Sequence, residues 1–148
     1  FRPRQMKKLL TFFTLFLMLG GVASAEYCTE KDEKYAKEDS ITYKNKRTFT
    51  AEESYLFGKE IIEVFKKKDL KKLVSMFDGE LRVGPKKSYF TNKTFDQAFE
   101  KTFIDLIVNS KPRCGLSDSN MGFDVGNTLI WYDKNKQNKW VIRRINYK

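Results

Sequence analysis

The residues best suited to hold a charged ligand form a short basic and aromatic cluster in the middle of the chain. The cluster contains Arg82, Lys86, Lys87, Tyr89 and Phe90. Gly84-Pro85 favours a turn between its two halves. Guanidinium and ammonium groups bind anions, and an aromatic ring packs well beside such a cation. The cluster predicts an anion-binding surface; the alternative is a polar hairpin whose aromatic rings reach back into the core.

Two more cations, Arg143 and Arg144, lie on the last predicted strand. They either join the same basic face or protect an edge strand from pairing with another chain. The first interpretation gives the full set of candidate ligand-binding residues, which is Arg82, Lys86, Lys87, Tyr89, Arg143 and Arg144.

Carboxylates are the remaining candidates for catalysis, because the chain has no histidine. That absence excludes Ser–His and Cys–His nucleophile pairs and imidazole metal ligands. Asp78, Glu80 and Asp124 could serve a small hydrolase as acid and base. Residues 118–124 place oxygen ligands at alternate positions, but Phe123 and Leu129 stand where a calcium loop needs Gly and Glu. We therefore predict no catalytic residue, no metal site and no cofactor.

The two cysteines, Cys28 and Cys114, are predicted to form one disulfide. Cysteines usually pair in an oxidising compartment, and redox sites usually carry a Cys-x-x-Cys motif or a neighbouring histidine. The bridge would hold a polar N-terminal stretch that otherwise frays.

The compartment is indicated by residues 6–25. A basic start at Met6-Lys7-Lys8 leads into an apolar run from Leu9 to Val22, and Ala23-Ser24-Ala25 follows. This order predicts a secretory signal peptide cleaved after Ala25. The apolar run is shorter than the roughly 20 residues that cross a bilayer, so we expect no stable membrane insertion after cleavage. Residues 1–5 fit no part of a signal, and the expected location is the periplasm or the medium.

Much of the positive charge belongs to this predicted signal. Its removal takes away Arg2, Arg4, Lys7 and Lys8 and no acidic residue, which lowers the formal net charge from +10 to +6. Such a charge favours weak attraction to anionic surfaces. We expect no nucleic-acid partner, because the compartment is unsuitable and no recognition motif occurs. An envelope protein or an anionic cell-wall or surface polymer is the expected kind of partner.

The elements that position these residues follow from the spacing of apolar side chains. Helices are predicted from Thr50 to Lys67, Asp69 to Phe77 and Thr94 to Asn109, the first and last opening with a capping box. A helical turn is expected near residues 32–37 and short strands at 41–43, 80–83 and 121–125. Thr128–Asp133 and Trp140–Asn146 predict a C-terminal hairpin.

The predicted fold is α+β. About three helices pack on one face of a small antiparallel sheet that ends in the C-terminal hairpin. We expect residues 26–148 to form a single domain.

Several stretches resemble small exported bacterial proteins of unknown function. They are Phe77–Lys87, Cys114-Gly115, Gly126-Asn127, Ile130-Trp131-Tyr132 and the pattern Trp140-x-Ile142-x-x-Ile145-Asn146. The resemblance covers most of residues 26–148 and implies no activity. The order of helices, short strand, helix and C-terminal strands is also similar to NTF2-like and cystatin-like folds, which host both enzymes and binding modules.

Three functions fit these observations. The first is an exported, non-enzymatic binding or accessory protein. The second is the carboxylate-dependent hydrolase. The third is an NTF2-like pocket for a small apolar ligand, lined by Phe99, Phe103 and Trp131.

Overall fold

The computed structural model describes residues 27–42 and 48–147. Within these ranges, five α-helices precede a three-stranded sheet, and a 3-10 turn lies between the third and fourth helices. The elements are α1 (Glu30–Thr42), α2 (Ala51–Lys66), α3 (Leu70–Ser75), the 3-10 turn (Lys87–Phe90), α4 (Phe95–Ala98), α5 (Lys101–Val108), β1 (Phe123–Val125), β2 (Ile130–Lys134) and β3 (Trp140–Ile145). The predicted α+β class is confirmed. The predicted signal, residues 1–25, lies outside the described residues.

The first helix is longer than the sequence suggested. Residues 30–42 are helical, so Ile41 and Thr42 belong to α1 and not to a strand, and Tyr43 lies outside the described residues. Thr29 and Asp32 form a reciprocal cap, with N–H to oxygen distances of 2.8 and 3.1 Å. This cap satisfies free N–H groups at the start of the helix and limits fraying.

The N-terminus of α2 is capped twice. Thr50 and Glu53 form the predicted capping box, and the Glu33 carboxylate accepts from the amides of Ala51 and Glu52 at 3.1 and 2.9 Å. Because an anion is favourable at the positive end of a helix dipole, Glu33 fixes α1 against α2.

The sheet is antiparallel in the order β1-β2-β3. Tyr132 pairs with Ile142 but Trp131 pairs with Arg144, so Arg143 is an extra residue in β3. This bulge allows Ile142 and Ile145, three residues apart, to enter the same core. The other sheet residues of that core are Phe123, Val125, Ile130 and Tyr132, which pack with α2 residues such as Ile61 and Phe65.

The outer side of β3 is lined by the segment that follows α3. The amide of Ile142 donates to the Met76 carbonyl at 2.8 Å, and the amide of Arg82 donates to the Arg143 carbonyl at 2.9 Å. The strand predicted at 80–83 does not form, because contact with β3 is limited to isolated parallel bridges at Phe77 and Val83. Gly79, with a φ of +70°, turns the intervening residues away from the sheet.

The helix predicted from Thr94 to Asn109 is two helices. The capping box of Thr94 and Gln97 is confirmed, but Phe99 has extended backbone angles and separates α4 from α5. This break leaves Phe99 only 1% exposed, with its ring stacked 5.3 Å from that of Phe103. Aromatic packing in the core therefore outweighs the weaker preference of the local sequence for one continuous helix.

The predicted disulfide is present. Cys28 and Cys114 are bonded with a Cα–Cα distance of 5.7 Å and are 86 residues apart in sequence. The bond joins the start of α1 to the loop after α5. No helix among the described residues has the length and apolar character to cross a membrane.

Candidate functional site

Main-chain contacts bring Arg82 next to Arg143 and Arg144, three of the predicted ligand-binding residues. The hydrogen bond from Arg82 to Arg143 and the bridge between Val83 and Arg144 place residues 82–83 directly beside the end of β3. Residues 76–83 contact the edge of β3, so this edge does not need Arg143 and Arg144 to prevent pairing with another chain.

Arg143 is largely used inside the fold. Its Nη1 lies 3.5 Å from Oδ2 of Asp78, and its side chain is 14% exposed. Arg144 pairs across the sheet with Trp131 and is half-buried. Both arginines are intermediate in exposure, and the Asp78 carboxylate holds Arg143.

Tyr89 turns its hydroxyl toward the protein. The hydroxyl donates to the Ala98 carbonyl at 2.8 Å. Burial, followed by a hydrogen bond with Tyr147 and electrostatic repulsion from it, raises the pKa of Tyr89. Lys93 donates to the Tyr89 carbonyl at 2.6 Å and its Nζ lies 4.1 Å from the centre of the Tyr89 ring. Tyr89 therefore positions Lys93 at the surface.

A groove between α3 and the 3-10 turn places three lysines beside apolar surface. Its volume is about 310 Å³. We call it the lysine groove, and it is lined by Leu70, Lys71, Val74, Lys87, Phe90, Thr91 and Lys93. Of the predicted ligand-binding residues, Lys87 lines this groove and Lys86 directly precedes it.

A residue outside the 3-10 turn fixes the position of Lys87. The Glu80 carboxylate accepts from the backbone amide of Lys87 at 2.9 Å, which fixes the start of the 3-10 turn. The backbone amide of Tyr89 donates to the Lys86 carbonyl at 2.9 Å and closes the turn. These bonds hold the Cα of Lys87 against α3, while its ammonium group remains available.

Two neighbouring lysines outside the groove form ion pairs, whereas none of the three lysines that line it does so among the described residues. Lys68 contacts Asp96 at 2.8 Å, and Lys72 contacts Glu60 at 3.4 Å. Among the described residues, neither Lys71 nor Lys87 has an acidic side chain within ion-pair distance. The groove therefore keeps charge that a ligand can use.

Sequence reasoning missed Lys71 and Lys93. Lys71 follows the first apolar residue of α3, and Lys93 lies between the 3-10 turn and α4. The spacing of Leu70 and Val74, four residues apart, was the available signal that α3 presents apolar surface next to Lys71.

The three candidate catalytic carboxylates have separate structural partners. Asp78 contacts Arg143, and Glu80 accepts from the amide of Lys87. Asp124 is 2% exposed and accepts from the amide of Thr128 at 2.7 Å. Each carboxylate thus stabilises a different turn or strand.

The three residues predicted to line an apolar pocket are not brought together. Phe99 and Phe103 stack on each other within the aromatic core. Alternation along β2 places Trp131 on the opposite face of the sheet from Ile130 and Tyr132. Its indole N–H donates to the Thr128 carbonyl at 3.0 Å.

One group of potential metal ligands occurs among the described residues. Ligand atoms of Cys28, Asp32 and Cys114 lie within 4.8 Å of one another. Both sulfurs are consumed by the disulfide, and the Asp32 carboxylate caps α1. The group is therefore explained by the covalent structure.

The chain matches no known family model, and neither curated proteins nor solved structures provide a match. The resemblance to small exported bacterial proteins and to NTF2-like and cystatin-like folds stays a prediction.

Proposed function

We propose that this protein is an exported, non-enzymatic binding protein that holds an anionic component of the cell envelope in the lysine groove. The observation that carries the proposal is the pair Lys71 and Lys87, which face one groove from two different elements. Among the described residues, no acidic side chain lies within ion-pair distance of either ammonium group. Lysine is a compact charge well suited to sulfate, phosphate and carboxylate groups.

Export is supported by two independent features. The Cys28–Cys114 bond is typical of proteins that fold in an oxidising compartment. Residues 6–25 also have the order of a secretory signal. A basic surface in that location meets the anionic polymers and lipids of the envelope.

Charge distribution favours this site over a diffuse attraction. Lys66, Lys68 and Lys72 each contact an acidic residue, which reduces the attraction of these three lysines for an anion. Charge in a concave surface attracts anions more strongly than the same charge on an open face. We therefore expect Lys71 and Lys87 to dominate binding.

The test uses an immobilised polyanion with a charge-matched control. Binding of the purified protein to dextran sulfate is measured against unmodified dextran, for the wild type, K71E/K87E and K34E/K37E. Lys34 and Lys37 are exposed on α1, which packs at the N-terminal end of α2, whereas α3 follows its C-terminal end. Both variants change the net charge equally.

We expect K71E/K87E to weaken binding at least tenfold and K34E/K37E to change it less than twofold. Raising the salt concentration from 50 to 200 mM should weaken wild-type binding and have little effect on K71E/K87E. Equal losses in the two variants would show general electrostatic attraction and would contradict a site in the groove.

A further inference from the structure

The floor of the lysine groove is a continuous apolar strip. Leu70 and Val74 lie four residues apart on α3 and so share one face of the helix. Both are partly buried and pack against the core, and Phe90, which is 5% exposed, completes the floor from the 3-10 turn. A sulfated or sugar polymer would not bury this strip, because its sulfate and hydroxyl groups stay hydrated. A ligand with an apolar segment would cover it.

Cations stand on both sides of the strip. Lys71 lies on α3, Lys87 begins the 3-10 turn, and Lys93 lies three residues after that turn ends. The ammonium group of Lys93 is held in place by the carbonyl and ring of Tyr89. Three ammonium groups around one small groove match a phosphate monoester, which carries about −1.5 to −2 charge at neutral pH, better than a single carboxylate.

Several backbone amides at the groove are already hydrogen-bonded and are not free to bind a peptide main chain. The amide of Thr91, which lines the groove, donates to the Ser88 carbonyl at 3.2 Å. The neighbouring amides of Leu73 and Tyr89 donate to the carbonyls of Asp69 and Lys86 at 3.0 and 2.9 Å. Peptides commonly bind by adding a strand to a sheet edge or by laying a helix in a long groove. Among the described residues that line this groove, none belongs to a strand.

We propose that the lysine groove takes a single-chain anionic amphiphile, an alkyl chain with a phosphate monoester headgroup. The chain covers Leu70, Val74 and Phe90, and the headgroup lies between Lys71, Lys87 and Lys93. The volume of about 310 Å³ is at the small end for ligand sites, which favours a ligand with a single alkyl chain. This assignment rests on the proposed function and narrows its ligand.

The experiment compares ligands that differ in one part at a time. Dodecyl phosphate, kept below its micelle concentration, is titrated into the purified protein by calorimetry, with butyl phosphate and dodecyl maltoside as controls for the chain and the charge. We expect dodecyl phosphate to bind at least tenfold more tightly than either control, because only dodecyl phosphate satisfies both the apolar floor and the lysines.

A variant that fills the groove tests whether the alkyl chain of the ligand binds there. Thr91 is exposed and lines the groove, so T91W should fill it without disturbing the core. S119W, at an exposed position in the loop before β1, is the matched control. We expect T91W to weaken dodecyl phosphate binding at least tenfold and S119W to leave it unchanged, and thermal unfolding to confirm that both variants fold.

The outcomes separate the two proposals. Equal affinity for dodecyl and butyl phosphate, with dextran sulfate binding still lost in K71E/K87E, would overturn the amphiphile and leave the anion-binding function standing. Tighter binding of a glutamate-rich peptide than of dodecyl phosphate would also overturn it. If K71E/K87E altered neither ligand, both proposals would fail.

Discussion

The hydroxyl of Tyr132 donates a 2.7 Å hydrogen bond to the main-chain carbonyl of Ser54. Both residues are almost fully buried, at 1% and 0% exposure. The bond joins the centre of β2 to the first half of α2, and the ring of Tyr132 packs between Phe57 and Phe123. This contact fixes the main helix on the sheet.

The space beside this hydroxyl explains Gly58 in the middle of α2. A Cβ at residue 58 would lie 2.7 Å from the Tyr132 hydroxyl. We expect G58A to destabilise the protein by about 1–3 kcal/mol, although alanine normally favours a helix. Y132F should cost about 1–2 kcal/mol through the lost hydrogen bond.

The two changes should not add. Y132F removes the atom that an alanine at 58 would strike, so the double variant should be about 1 kcal/mol more stable than additivity predicts. Urea unfolding of the four proteins measures the coupling. Strict additivity would show that Pro112 and Val125, the next nearest neighbours at 3.0 and 3.1 Å, set the cost at Gly58 instead.

Alkaline pH should weaken the fold through Tyr132. Burial, reinforced by the negative charge of Asp124, raises the pKa of Tyr132 well above its ordinary value of 10.0. Above about pH 10 the unfolded chain loses this proton while the folded protein keeps it. Stability from this group is therefore complete below pH 10 and is lost as the pH rises further, by at most about 1.4 kcal/mol per pH unit.

Y132F removes this dependence. The difference in unfolding free energy between wild type and Y132F should shrink by about 1 kcal/mol between pH 8 and pH 11, measured by urea denaturation at each pH. A difference that stays constant across this range would refute a role for Tyr132 in alkaline destabilisation.

The hairpin between β1 and β2 contains backbone strain at Thr128. Gly126, Asn127 and Thr128 all have positive φ values, and Thr128, at +73°, is a β-branched residue in a region it disfavours. The loop is held because Thr128 donates to buried Asp124 and its carbonyl accepts from Trp131 and Asn146. These three hydrogen bonds hold Thr128 at a positive φ that its β-branched side chain disfavours.

T128G should therefore stabilise the protein by about 1 kcal/mol. Glycine relieves the backbone strain, but its greater conformational freedom also stabilises the unfolded chain and offsets part of the gain. N127G is the matched comparison, because asparagine tolerates positive φ and leaves less strain to relieve. Thermal unfolding distinguishes them: a larger gain for N127G than for T128G would contradict strain at residue 128.

Local signals in the sequence predicted much of the fold. The capping boxes at Thr50 and Thr94, the cap at Asp69 and the C-terminal hairpin depend on neighbouring residues, and the structure confirms each. The break at Phe99 could not be read this way, because it depends on aromatic partners from distant elements.

Charged residues were harder to place for a similar reason. Lys134 looked like part of a polar turn, yet its side chain is 6% exposed and its ammonium group contacts Glu53 and the Thr48 carbonyl at 3.3 and 2.9 Å. Arg143 is held by Asp78 through a bulge that no sequence pattern revealed. Which cations stay available for a ligand depends on long-range partners. The structure places Lys71 and Lys93 beside the groove, whereas Arg143 contacts Asp78.

The most direct test of the lysine groove is to map binding residue by residue. Amide NMR spectra of the labelled protein are recorded during titration with dodecyl phosphate. We predict that the largest shifts cluster at residues 70–74 and 87–93 and that they disappear in K71E/K87E. Shifts that cluster on another surface, or that persist unchanged in K71E/K87E, would contradict the lysine groove as the binding site.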